Sequence, residues 1–476
     1  MIHKVNNILL LFRPCFRREN AFVWFCILVF GFLLQYEHNG VTSIVRSLGL
    51  PSFIYGNALH FFRASSWTAQ ELQQRWLSII CKHTSPTTLD GFYILIGDGI
   101  KISKEARKMP GVKKLHQESN NVGKAPYIIG HHFGVTGIVA GTPHKQFCVP
   151  VAAEIHEGMD EIREIQGKDT PQEGQSLQTL MVHQTKPLVA SLEHPCVLVL
   201  DAFFATGSTF KEASSILDQN GNRLLHIVTR AKKNVVAFMD PPPRTGERGR
   251  PKMYGEKVKL MDVFHERADE FEEVTLNIYG KEKTLSVLCL DLLWKPLKEK
   301  VRFGLLLDGD NKYILMSSSF ELKPSSIIQA YSYRFKIEVS FKVMKHLLGS
   351  FYYQFWTKAM PKLDRKGKTD LSNLDSDSRR LIGSAANAIE GFVILGCIAT
   401  GILQLLSILE GEEIWKRYKG WLRTYSSRAP SEETVRSILQ EEFYHNFYDF
   451  RNDAIYQFIM SKRDGPPDDF NDDEVA

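Results

Sequence analysis

The chain is poor in the residues that build disulfide scaffolds and metal cages. Its 476 residues include seven cysteines, at positions 15, 26, 81, 148, 196, 289 and 397. The number is odd, the spacing is wide and no C-x-x-C pair occurs. That argues against a cysteine-built zinc site and against a disulfide framework. Free thiols in a reducing cytosol are the expected state. There is no Walker-type glycine loop, no G-x-S-x-G elbow and no internal repeat, which argues against P-loop nucleotide chemistry, an α/β-hydrolase and a solenoid. His131 and His132 are adjacent, but neighbouring side chains on a strand point to opposite faces, so they do not make a metal pair. Net charge is small as well, +5 from 59 Lys and Arg against 54 Asp and Glu.

That small net charge hides an uneven distribution. The last 13 residues carry six acids and no base, leaving residues 1–463 at +11. A basic body with an acidic tail suits a polyanionic partner. With 43% apolar and 24% charged residues, the composition is that of a folded protein of about three domains. Two long apolar runs raise the question of a membrane. Ala21–Leu34 is short for a spanning helix and no small-x-small cleavage site follows it. Gly391–Leu409 is long enough to span, with Gln404 its most polar side chain. Both are expected to be buried helices, apolar all round because protein surrounds them.

Residues 1–85 read as a helical region with a possible DNA contact. Ser66 is the expected cap of a helix bearing Leu72, Trp76, Leu77 and Ile80. From 86 to 229 the period becomes strand-like. Apolar runs at Phe92–Ile96, Tyr127–Gly130, Phe147–Ala153, Cys196–Leu200 and Leu225–Thr229 alternate with helices at Ser176–Leu192 and Thr206–Asp218, a mixed α/β layer. Strand-like runs joined by Gly/Pro turns then fill 230–320, an inserted β-rich module that includes 257–263. A helix is expected from Pro324 to Gly349, within a 321–360 unit. Residues 361–463 are read as helical, with a mobile polar loop at 361–380 and a possible dimerisation role, and 464–476 as an acidic disordered tail.

Two carboxylates sit where buried strands end, Asp98 after Phe92–Ile96 and Asp201 after Cys196–Leu200. Ligands bind at such strand ends in α/β folds, and two acids on neighbouring strands can share a hard divalent cation. On the helix from Pro324, Tyr331, Arg334, Glu338 and Lys345 fall within an arc of about 60°, with Lys342 beside it. Ile337, Phe341, Met344 and Leu348 form the neighbouring apolar stripe that would hold this helix on the sheet. One acid among several cations suits an active site better than a solvated face, although an Arg334–Glu338 ion-pair ladder has the same spacing.

The pattern Tyr331-x2-Arg334-x3-Glu338-x6-Lys345 resembles the Y-R-E-K signature of DDE transposases of bacterial insertion sequences, the IS-four type. Residues 97–119 (GDGIKISKEARKMPGVKKLHQES) and 197–207 (VLVLDAFFATG) resemble that family's first- and second-aspartate segments. The resemblance implies a ribonuclease-H-like mixed sheet core with a β-rich insertion and flanking helical regions. The gap from Asp201 to Glu338 is 137 residues, room for the insertion. It also implies Asp98, Asp201 and Glu338 as a catalytic triad holding two Mg²⁺ ions, with Mn²⁺ a possible substitute. Tyr331, Arg334 and Lys345 would bind DNA phosphates. The partners implied are double-stranded DNA, as terminal inverted repeats and as target, and a second copy of the chain as a homodimer on paired ends, in the cytoplasm with no membrane. A transposase-derived DNA-binding protein without catalysis, or a ribonuclease-H-like nuclease without strand transfer, would share much of this sequence.

Two basic segments suit a DNA path. Residues 101–114 carry a net +5 and residues 230–260 a net +6. Within the second, Arg248-Gly-Arg250-Pro-Lys252 resembles the core of an AT-hook, which lies in a narrow A·T minor groove. Trp294 is more readily a core residue than a base-stacking one.

Overall fold

The computed structural model describes residues 1–117, 125–142, 145–165, 176–243, 252–278, 280–364, 371–422 and 429–464. Among these described residues, one sheet of thirteen strands lies at the centre. In the first half they are β1 Thr88–Leu89, β2 Phe92–Ser103, β3 Lys113–His116, β4 Tyr127–Thr142, β5 Lys145–Ile155, β6 Cys196–Leu200 and β7 Leu225–Arg230. The second half adds β8 Val236–Phe238, β9 Lys257–Lys259, β10 Glu272–Ile278, β11 Lys281–Trp294, β12 Glu299–Asp308 and β13 Asn311–Ser317. Five strands form the inner part, in the order β5-β4-β2-β6-β7. β5, β4 and β2 are antiparallel neighbours, whereas β6 and β7 run parallel to β2. Every residue of β6 is buried, as expected of a parallel strand covered on both faces.

Two strands run further than their apolar runs suggest. β4 continues twelve residues past Gly130, through a glycine-rich stretch without strict alternation. Its glycines are sites of close approach: a Cβ on Gly134 would lie 1.9 Å from the His156 ring. β2 does not stop at Ile96 either. It continues to Ser103 because its antiparallel pairing with β4 persists from Leu95 to Ser103.

The β-rich segment is continuous with the inner strands. β13 lies antiparallel on β7, with Met316 opposite Thr229, so the sheet passes without interruption into β12 and β11. An exposed β7 edge would leave a row of unpaired backbone groups, which β13 satisfies. The expected strand at 257–263 is strand only to Lys259; Leu260–Glu266 is a helix that buries Leu260, Val263 and Phe264.

Both apolar runs are enclosed helices. Glu19–Leu34 and Ser376–Leu409 pack together, Phe32 against Phe392 with ring centroids 4.8 Å apart. Among the described residues Ser376–Leu409 is the one helix long and apolar enough to cross a membrane, and its apolar stretch lies inside the protein. It also packs against β5. Gly401 lets Trp76 and Val149 approach, since a Cβ there would lie 2.3 Å from the Trp76 ring. The Gln404 amide nitrogen donates to Glu432 and to the Ser340 hydroxyl. The helix begins at Ser376, inside the expected mobile loop, because Asp375 caps it by accepting from the Ser378 amide at 2.7 Å. Residues 365–370 of that loop lie outside the described residues. The cap of Ala69–His83 is Thr68, not Ser66; its hydroxyl oxygen accepts from the Glu71 amide.

Candidate active site

Asp98 and Asp201 are brought level by strand register. On the parallel pair β2 and β6, Ile96 lies opposite Val199, so two residues further on Asp98 stands beside Asp201. Neighbouring strands are about 4.8 Å apart. β6 ends at Leu200, and Asp201 begins a tight turn in which its carboxylate accepts from the Phe203 amide at 2.9 Å. Asp98 is therefore in mid-strand, not at a strand end as expected, but it stands where its parallel neighbour stops. The flanking Gly97 and Gly99 are needed for packing. Cβ atoms there would lie 2.8 Å from Met181 Sδ and 2.4 Å from His132 Nε2.

Glu338 comes from the helix Phe335–Lys342. The expected long helix is broken into Pro324–Ser332 and Phe335–Lys342, followed by a π-helical turn, Val343–Leu347. Between the two helices the chain tightens into i,i+3 bonds, with the Tyr333 amide donating to Ala330 and the Arg334 amide to Tyr331. At about three residues per turn, Arg334 then sits directly over Tyr331 instead of trailing it. Ile337, Phe341 and Met344 are buried, as the apolar stripe predicts. The Ser340 hydroxyl donates to the Cys148 carbonyl of β5 at 2.6 Å, tying the helix to the sheet. Gly349 ends the segment in the left-handed region at φ +63°, which favours glycine.

Arg334 joins the elements. Its guanidinium donates to Asp98 Oδ2 at 3.0 Å and also to Glu338 Oε1. Asp98 Oδ1 accepts from the Gly99 amide at 2.8 Å. Burial pushes the Asp98 carboxyl up to about 6, the Asp201 charge adds to this, Arg334 and the Gly99 amide oppose it, and Glu338 raises it further. Asp98 thus feels the charge of both Asp201 and Glu338. Among the described residues no three His, Cys, Asp or Glu side chains are grouped as a ready metal cage. Arg334 accounts for this on the helix side, where one cation already serves two of the acids. The donor set nevertheless suits a hard divalent cation: its oxygens are anionic, and those of Asp98 and Glu338 already share one positive charge, that of Arg334.

The other expected contact residues divide. Lys342 and Lys345 are exposed and Tyr331 is half-buried on the same segment. Arg248 and Arg250 lie outside the described residues, while Lys252 is exposed. The acidic tail beyond Asp464 is likewise outside them. Of the basic run at 101–114, Lys104 is no DNA contact. It is buried, donates to the Phe351 and Tyr353 carbonyls at 2.7 and 3.0 Å, and lies over the Tyr353 ring. Lys113 is paired with Glu157. His131 and His132 do diverge: His131 is enclosed between Tyr353 and Pro110, and His132 bonds Glu157. Trp294 is buried edge-on to Phe210, which removes it as a base-stacking residue. The sequence reading missed Phe335 and Val339, both exposed on the helix that carries Glu338. Their signal was available, since they lie off the apolar stripe.

A family model described as DDE superfamily endonuclease matches residues 11–282, more than half of the chain. The match includes Asp98 and Asp201 and stops short of Glu338. No curated protein matches the chain significantly. Enzymes of this superfamily act on DNA and generally use divalent metals. With more than half its length matched, the chain belongs to the DDE superfamily endonucleases.

Proposed function

We propose that this chain is a DDE transposase of the bacterial insertion-sequence, Y-R-E-K type, which cuts transposon ends and joins the freed 3′-hydroxyl to target DNA. The observation that carries the reading is the level pair Asp98 and Asp201 with Glu338 tied to the same arginine as Asp98. The strand order β5-β4-β2-β6-β7, with two antiparallel and two parallel neighbours, supports a ribonuclease-H-like core. The β8–β13 segment would be its insertion and the helices on either side of it its flanking regions.

Asp98, Asp201 and Glu338 would hold two Mg²⁺ ions, or Mn²⁺ in their place. When bound, such ions activate a water or 3′-hydroxyl nucleophile and stabilise the leaving oxygen. The chain's own residues position the DNA. Arg334 is shared between two carboxylates; once these take another partner, its planar fork suits bidentate contact with a phosphate. Tyr331 supplies a hydroxyl beside it, and the exposed Lys342 and Lys345 extend the contact along the backbone. Arg248, Arg250 and Lys252 would add minor-groove or phosphate contacts. The partner would be double-stranded DNA, at terminal inverted repeats and at the target, held by a homodimer in the cytoplasm.

The test uses DNA carrying the inverted repeats that flank the reading frame. Metal-dependent cleavage followed by joining of pre-cut ends is expected. Cleavage without joining would reduce the reading to a nuclease. DNA binding with no cleavage in Mg²⁺ or Mn²⁺ would reduce it to a DNA-binding relative.

A further inference from the structure

Gln404 lies in the apolar stretch of the buried helix Ser376–Leu409, and it is 1% exposed. Its amide oxygen is enclosed and has no hydrogen-bond partner. A bare buried acceptor costs stability, and an apolar side chain of the same length would avoid that cost. The use of the amide therefore lies with its nitrogen. That nitrogen donates to the Ser340 hydroxyl at 3.3 Å and to Glu432 Oε1 at 3.0 Å, one hydrogen to each. The Ser340 hydroxyl in turn donates to the Cys148 carbonyl of β5 at 2.6 Å, with the Lys336 carbonyl farther off at 3.3 Å. Glu432 is 5% exposed and opens the helix Glu432–Asn446. A line of buried polar contacts thus runs from that helix, through the core helix, to the helix that carries Glu338.

Ser340 stands two residues after Glu338, about 200° round the same helix. Ile337, Phe341 and Met344 press this helix on the protein through apolar contacts, which resist removal but have no preferred direction. A hydrogen bond does have one. The bond from Ser340 to β5 fixes how far the helix is turned about its own axis. A carboxylate roughly 5–6 Å from that axis moves about 1 Å for each 10° of turn. The Gln404 amide holds the Ser340 oxygen as an acceptor, which leaves the hydroxyl hydrogen for Cys148. Glu432 acts on the same helix by charge as well: burial lowers the Lys336 ammonium, and Glu432 opposes this. On β5, Lys145 donates to the Ala429 and Pro430 carbonyls at 3.3 and 2.9 Å, which holds the chain just before Glu432 in place. Resting on the functional reading above, we propose that Gln404, anchored by Glu432, is a positioning residue that sets the rotation of the Phe335–Lys342 helix through Ser340, and with it the placement of Glu338 beside Asp98.

The test compares the full-length protein with Ser340→Ala, Gln404→Met and the double variant, in single-turnover cleavage and in DNA binding. Each single variant should cut about tenfold or more slowly, because a misplacement of about 1 Å costs that much, while DNA affinity stays unchanged. Since the two groups act as one relay, the double variant should be no slower than the slower single variant. Glu432→Gln keeps an acceptor oxygen and should cut like the wild-type protein, whereas Glu432→Leu should be slowed like Gln404→Met. Amide hydrogen exchange over residues 335–342 of the metal-free protein should quicken in the slowed variants, a readout that needs no cleavage. Ser340→Ala, the smallest of these changes, decides the matter if Gln404→Met does not fold. Losses that multiply in the double variant, full-rate cleavage by Ser340→Ala or Gln404→Met, or a loss of DNA affinity equal to the loss of rate would each overturn the proposal. Wild-type protein that cuts DNA while these variants cut equally fast would sink this inference alone. Wild-type protein that neither binds nor cuts DNA would remove the functional reading with it.

Discussion

Replacing Asp98 with asparagine should make the metal-free protein more stable while abolishing its cleavage. In the fold this carboxyl is raised from 3.8 to about 6, through burial first and then the Asp201 charge. The raised value means that the folded chain holds the proton more tightly than the unfolded chain. Stability is therefore highest when Asp98 is neutral, falls as pH rises from about 4 through 6, and stays low above that. A shift from 3.8 to about 6 corresponds to roughly 3 kcal/mol. Asparagine has the same shape and no charge, so at pH 8 in EDTA it should recover up to about 3 kcal/mol, and at pH 4 close to nothing. Urea unfolding of both proteins at the two pH values measures the difference. Added Mg²⁺ should stabilise the wild-type protein and have a much smaller effect on Asp98→Asn. The reasoning fails if Asp98→Asn is the less stable protein at pH 8, or if the gap between the two does not change with pH.

Asp201→Ala and Glu338→Ala should each lose metal-dependent cleavage while still binding end DNA in a mobility-shift assay; an active Glu338→Ala protein would remove the catalytic assignment. Arg334→Ala should tighten Mn²⁺ binding to the metal-free protein, because the competing guanidinium is gone, yet slow end processing; calorimetry and single-turnover cleavage report the two effects separately. Glu157 is held down at about 2 by its bond to His132, with Lys113 adding to the effect, so its contribution exists above its ordinary value and is lost as pH falls through 4.5 towards 2. Glu157→Gln should accordingly cost about 2 kcal/mol at pH 7, roughly half that at pH 3 and little at pH 2. Trp76→Ala should destabilise by about 3–5 kcal/mol, because its buried ring packs on Phe12 and its indole N–H donates to the Pro150 carbonyl.

Much of this protein is legible one residue at a time. The apolar runs Cys196–Leu200 and Leu225–Thr229 announce β6 and β7 because a buried parallel strand needs an unbroken row of apolar side chains. The 3.6-residue period marks the buried side of Phe335–Lys342, and the spacing of Tyr331, Arg334, Glu338 and Lys345 picks out one acid among cations. Other features are invisible at that level because they depend on partners distant in sequence. β2 runs past Asp98 only because β4 lies alongside it, and β13 joins the β-rich segment to β7 through backbone bonds that carry no sequence signature. Lys104 reads as a surface cation, yet the carbonyls of Phe351 and Tyr353 draw it inside. The sequence alone determines which side chains can be acid, cation or core. The tertiary structure decides that Asp98 and Asp201 stand level and that Arg334 reaches both Asp98 and Glu338, because hydrogen-bond register and helix packing set distances between residues up to 240 positions apart.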